Sequence, residues 1–241
     1  MLLRAGLATV VFYAWGTISL QANTPHGPES TDSAPFKWRS ALIQSGAFLG
    51  IQHGFRLATE PGTRAELRGP FVRDYFRSIR GVRGWKDGDN TFTNYVGHPM
   101  MGAVSGWIFL QNDSRGKGHQ FGRDRGYWNS RLRAMGWSAA YSTVFEFGPA
   151  SEASLGNVGK NGTGMVDMVI TPTMGTGVVV LEDFLDRYVI SAIERRTKNR
   201  LAIVLTRSIL NPDRSMANLL RRRNPWHRDT RPGVKALTGT K

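Results

Sequence analysis

The sequence predicts an all-α protein: a helical bundle with small-residue helix contacts, an N-terminal signal segment and a basic C-terminal tail. Three observations carry that prediction. Apolar residues recur with helical periodicity in six segments, and no convincing strand interrupts them. Glycines repeat at four-residue spacing, Gly46/Gly50/Gly54 in one segment and Gly102/Gly106 in another, which places bare backbone along one helix face. Asn94, His98, Gly102 and Gly106 lie at i, i+4, i+8 and i+12, so one face offers two polar groups and then two positions where a neighbouring helix can approach closely.

The chain opens with Arg4, an apolar run over residues 5–20 and Leu20-Gln21-Ala22. That order reads as a signal peptide over 1–22, either cleaved or retained as an anchor. Residues 23–35, rich in Pro and Ser, read as a flexible leader. The helical bundle is expected over 36–210 and the basic tail over 211–241. An export signal places the protein in the cell envelope, periplasmic or at the inner membrane. The chain has no cysteine, which excludes disulfides, iron–sulfur clusters, thiolate zinc sites and a cysteine nucleophile.

Helix one is expected over 36–59, stopping before Pro61-Gly62. Its Gly46/Gly50/Gly54 stripe predicts close packing against another helix, because each glycine costs a helix about 1 kcal/mol relative to alanine. Helix two, about 69–80, carries Phe71, Val72, Tyr75, Phe76 and Ile79 on one face and Arg73, Arg77 and Arg80 elsewhere. It is an amphipathic surface helix, lying on the bundle or on a bilayer. Helices three (about 94–111) and four (about 126–147) follow. Helix five, about 165–196, contains Pro172, which should bend it. Helix six covers about 197–210. The apolar runs 95–110 and 168–181 are shorter than the roughly 20 residues a span needs, so a dry bundle interior and a membrane both account for them.

The net charge of +14 is concentrated late, with thirteen Lys and Arg after position 194 against Asp213 and Asp229. An export signal argues against nucleic acid. Anionic lipid headgroups fit instead, at about 1 kcal/mol per basic residue near the surface, and a solvated tail is the plainer possibility. Arg221, Arg222, Arg223 and Trp226 pair charge with an interfacial aromatic and are the expected membrane contacts.

Chemistry should sit where polar ends meet. Asn94 and His98 open helix three, Ser138, Ser142 and Glu146 form a stripe ending helix four, and Asp167 and Thr171 open helix five in line with Gly175. If consecutive helices run antiparallel, these three ends share one end of the bundle. His98, Glu146 and Asp167 then converge, as ligands of a divalent metal or as catalytic acid and base. Asn94, Ser142 and Thr171 would be hydrogen-bonding, substrate-facing neighbours, with Glu152 on the loop above. A structural network fixing the helix packing explains the same residues. Glu182 and Asp183 lie roughly 22–24 Å further along helix five, and read as solvated acids or partners of nearby arginines. His53 reads as a packed core residue. No nucleophile elbow, zinc-protease helix, Walker loop or dinucleotide fingerprint occurs.

The run Asn94…His98-Pro99…Gly102, Ser142…Glu146 and Thr171-Pro172…Gly175…Glu182-Asp183 resembles a family of uncharacterised bacterial envelope proteins over about residues 89–190. The resemblance implies an envelope location and a helical fold. It implies no activity. Two functions stay open: a structural or interaction role at an envelope membrane, or hydrolysis of an envelope lipid.

Overall fold

A computed structural model of the chain describes residues 36–59, 61–66, 70–80, 84–85, 90–149, 151 and 165–238. The signal segment, the leader and Glu152 lie outside these residues. Within them the structure is helical, and no strand occurs among the described residues. Among the described residues ten α-helices follow in order: α1 Trp38–Thr59, α2 Pro61–Glu66, α3 Phe71–Arg80, α4 His98–Asn112, α5 Arg125–Phe147, α6 Val166–Leu185, α7 Ser191–Arg196, α8 Arg200–Ile209, α9 Pro212–Leu220 and α10 Val234–Thr238. Wide π turns at Thr93–Gly97 and Asp186–Ile190 lead into α4 and α7.

The bundle is built around α4, α5 and α6, with α4 at its centre. Helix α4 is buried on nearly every side, from His98 and Pro99 through Trp107 and Ile108 to Asn112, which is what a helix without an amphipathic face requires. Its apolar run is therefore a protein interior. Helix α1 lies against α4 and α5: Asn112 Nδ2 donates to Gln44 Oε1 at 3.2 Å, and Tyr141 hydroxyl donates to Gln52 Oε1 at 2.5 Å. Phe48 stacks on Tyr141 with ring centres 5.6 Å apart. Helix α6 continues through Pro172 without a break. With the π turn and α7 it forms one helical run, Val166–Arg196, long and apolar enough to cross a membrane.

The glycine stripe of α1 does not make the predicted contact. A Cβ built on Gly46, Gly50 or Gly54 meets nothing within 4 Å, so that face is open. The close approach occurs between α4 and α6 instead. A Cβ on Gly102 would sit 1.9 Å from the Thr171 carbonyl oxygen, and one on Gly175 would sit 2.7 Å from Gly102 Cα.

The expected tail is also corrected, because residues 211–238 fold onto the bundle. Helix α9 seats on α4, where Gln111 Nε2 donates to Asn218 Oδ1 at 3.1 Å. Arg228 is only 3% exposed. The described part of the folded body thus continues past 210 to 238. Long-range acid partners draw these arginines inward, and charge composition alone carries no trace of them.

Candidate functional site

The N-terminal end of α4, the C-terminal end of α5 and the N-terminal end of α6 meet at one end of the bundle. His98 is the first residue of α4, Glu146 lies in the last turn of α5, and Asp167 lies in the first turn of α6. Their ligand-type atoms all fall within 4.8 Å of one another. His98 Nε2 stands 3.3 Å from Asp167 Oδ1. All three are buried, at 5%, 2% and 3% exposure. The predicted convergence is therefore present in the structure.

Two of the neighbours named from sequence, Thr171 and Ser142, bond to members of the cluster. Thr171 Oγ1 lies 3.3 Å from His98 Nδ1. When Nε2 acts as ligand or base, the proton sits on Nδ1, which then donates to the Thr171 hydroxyl. Ser142 Oγ donates to the Asp167 carbonyl at 3.3 Å, tying α5 to the start of α6. Asn94 is buried in the π turn that precedes His98, a wide turn of the kind that recurs at functional positions. Ser138, Ser142 and Glu146 all face inward, as their spacing predicts.

Several local devices hold the start of α6. Its first N–H groups lack intrahelical acceptors, and the Met165 and Val166 amides donate to the carbonyls of Gly84 and Trp85 at 3.2 and 3.1 Å. Gly84 adopts φ +71° to present that carbonyl, a conformation that suits glycine. On the far wall, Phe145 separates two imidazoles. His53 stacks flat on its ring with centres 5.0 Å apart, and His98 meets the same ring edge-on at 6.4 Å. His53 is thus a packed core residue, as expected.

Chemically, one imidazole and two carboxylates facing a common point form a three-ligand set for a borderline or hard divalent ion. Without an ion they form a histidine–acid network able to move a proton or to lock three helices together.

Glu182 and Asp183 stand at the other end, and neither is solvated. Glu182 accepts from Trp107 Nε1 at 2.6 Å, from the Asp213 amide at 2.9 Å and from the Arg214 amide at 3.2 Å. It thereby caps α9 from outside that helix. Burial and the facing Asp213 push its carboxyl up to about 8. Asp183 Oδ2 accepts from Arg131 Nε at 3.0 Å and Nη2 at 2.6 Å, and from the Tyr127 hydroxyl at 3.2 Å. An apolar run beside two acids signals solvent only when no cation waits elsewhere in the fold, and here Arg131 does.

Of the expected membrane contacts, Arg222 and Arg223 are exposed and Trp226 is half-buried. Arg221 is engaged: its Nη2 lies 2.9 Å from Asp229 Oδ2 and its Nε donates to Asn218 Oδ1 at 3.2 Å. Sequence reasoning missed the network around Asp186 and Glu194, which takes in Arg207, Arg214, Arg228 and Arg231. No family model, curated protein or solved structure matches the chain.

Proposed function

We propose that the chain is a membrane-associated structural or interaction component of the bacterial envelope, whose bundle is clamped by a divalent metal ion between His98, Glu146 and Asp167. The observation that carries this reading is that donor atoms from three helices converge within 4.8 Å in a buried setting. Two carboxylates beside one imidazole supply the negative charge a divalent ion needs, and Thr171 orients the imidazole as an outer partner does in metal sites. Membrane association draws on the net charge of +14, the exposed Arg222 and Arg223, and helix α8. That helix shows bilayer-compatible spacing: Leu201, Leu205 and Ile209 are exposed at i, i+4 and i+8.

A second reading, hydrolysis of an envelope lipid, is favoured by one specific feature. Among the described residues the set has three protein ligands, a number that leaves a coordination position for water, as in catalytic rather than four-ligand structural sites. Held by His98, Glu146 and Asp167, a divalent ion would supply an acidified water as the hydrolytic nucleophile.

Metal analysis of the purified full chain tests the shared claim. One equivalent of divalent ion, lost in His98→Ala, is expected; no ion bound at stoichiometry after exposure to zinc, manganese and iron overturns it. Thermal unfolding with and without the ion separates the two roles. A clamp raises stability strongly on binding, whereas a hydrolytic site gives metal-dependent release of fatty acid or headgroup from vesicles.

A further inference from the structure

At the end of the bundle away from His98, the protein holds a polar cavity of about 40 Å³. Its walls come from the C-terminal half of α4, the start of α5, the π turn after α6, α9 and the returning segment 229–231. Arg131 and Glu146 are 15 residues apart on α5, which separates this cavity from the His98 cluster by roughly 22 Å.

Its charge is unusual for an interior. Arg131, Arg214 and Arg231 line it with Lys117 and Arg187, against Asp183, Asp186 and Asp229. The buried acids here are oversubscribed. Asp186 alone receives three guanidinium groups: Arg228 Nε at 2.8 Å, Arg214 Nη1 at 3.5 Å, and Arg231. Glu194 receives Arg207 Nε at 2.6 Å as well as Arg231 Nη1 at 2.9 Å. Counting Arg221 on Asp229, six arginines thus face four carboxylates, Asp183, Asp186, Glu194 and Asp229. The remaining buried acids do little to restore balance, since burial pushes both Glu182 and Asp213 toward their neutral forms. Crowding among the cations shows in Arg228, which burial and neighbouring Arg214 hold down to about 9. Uncompensated charge in a low-dielectric interior is costly.

Aromatic faces fix two of the guanidiniums. Arg131 lies 4.1 Å from the centre of the Tyr127 ring, and Arg214 lies 4.5 Å from that of Trp107. Arg131 spends its five N–H groups on Asp183, Ser130 and the Gly116 and His119 carbonyls, whereas Arg214 makes one long ion pair, to Asp186 at 3.5 Å, and its held planar fork keeps N–H groups for a tetrahedral oxyanion. The volume holds about three waters, or the oxygens of one such ion.

We infer that this cavity is a binding site for a phosphate-type oxyanion, with Arg214 and Arg231 as the donors within it, Arg131 as a fixed positive wall, and Lys117 and Arg187 at its edge. The anion's charge offsets the excess of guanidinium and locks the returning segment onto α9. The same chemistry belongs to free phosphate and to the phosphomonoester headgroup of a lipid.

Thermal unfolding of the full chain, titrated with inorganic phosphate at constant ionic strength set with chloride, is the test. Phosphate should raise the midpoint by several degrees, and Lys117→Ala should weaken its binding about tenfold, the loss of one charge-assisted contact. Lys117 is half-buried and holds none of the guanidiniums, so this variant folds as the parent does. His98→Ala should leave the phosphate response intact. A phosphate response equal to that of chloride overturns the inference, as does full phosphate affinity in both Lys117→Ala and Arg231→Lys. A short-chain phosphatidic acid competing with phosphate identifies the source as a headgroup; protection by phosphate alone identifies the free anion.

Discussion

Gly102 and Gly175 meet backbone to backbone: a Cβ on Gly175 would fall 2.7 Å from the Cα of Gly102. This contact brings α4 and α6 close enough for His98 to reach both Thr171 and Asp167. A methyl group on Gly102 would stand 1.9 Å from the Thr171 carbonyl oxygen, and a helix backbone cannot step aside as a side chain can. Gly102→Ala should therefore destabilise by more than about 3 kcal/mol, beyond the usual overpacking cost. Gly50, with nothing within 4 Å of its would-be Cβ, should behave oppositely. Gly50→Ala should raise stability by about 0.5–1 kcal/mol through helix propensity. Chemical denaturation of both variants checks this, and equal effects would contradict the packing described.

The two stripes also show what was legible in the sequence. His98, Glu146 and Asp167 were found because helical period and antiparallel order are local properties that fix which end of a helix a residue occupies. Spacing says that a face exists, and does not say what covers it. The Gly46/Gly50/Gly54 face is open for that reason, while Gly102 and Gly175, no more conspicuous in sequence, are in contact. Arg228 and Arg231 were illegible for a related reason. Their partner Asp186 lies more than 40 residues earlier, and net charge records a composition without its pairings. Glu182 lies at the end its spacing predicts, but it is buried rather than solvated because its stabilising donors, Trp107 and two α9 amides, come from elements distant in sequence.

Thr171 offers a test of how His98 is held. Its hydroxyl lies 3.3 Å from Nδ1, and outer partners of this kind typically contribute about 10–100-fold to metal affinity. Thr171→Val keeps the side-chain shape and removes the acceptor. It should weaken metal binding by about that range, and Thr171→Ser should restore it. Competition against a metal-binding dye measures both, and unchanged affinity in the valine variant would place the ion elsewhere.

The Glu182–Asp213 pair predicts how stability depends on pH. Burial and mutual repulsion raise Glu182 from 4.5 to about 8, and burial raises Asp213 from 3.8 to about 7. Folded protein then keeps protons that the unfolded chain has released, so stability falls as pH climbs from about 4.5 to about 8. Asp186 and Asp229 act in the other direction. Their arginine partners lower them, so their contribution is lost as pH drops below the ordinary carboxylate range. Asp213→Asn removes one titrating group and its repulsion of Glu182. Urea midpoints measured across this range should fall less steeply with pH in that variant than in the parent. An identical slope would show that the pair does not share its proton in this way.

Helix α8 gives the membrane reading a sharper target than the arginine triplet. Leu201, Leu205 and Ile209 are 64%, 46% and 67% exposed along one face, while Ile203 and Arg207 are buried on the other. Arg195, Arg196, Lys198 and Arg200, all exposed, surround the start of this helix. Apolar side chains flanked by cations are suited to the headgroup boundary of an anionic bilayer. Fully burying each apolar side chain is worth about 1.5–3 kcal/mol, against about 1 kcal/mol for each basic residue near the surface. The apolar stripe should therefore dominate. Leu201→Ser, Leu205→Ser and Ile209→Ser combined should reduce binding to phosphatidylglycerol vesicles by more than about a hundredfold. Arg222→Ala with Arg223→Ala should cost about thirtyfold. Added salt should weaken the parent's binding, since screening acts over about 8 Å at physiological strength, while leaving the apolar contribution in place. Vesicle co-sedimentation of the full chain distinguishes these cases. A triple serine variant that binds as tightly as the parent would mean that α8 faces water, and that another surface meets the membrane.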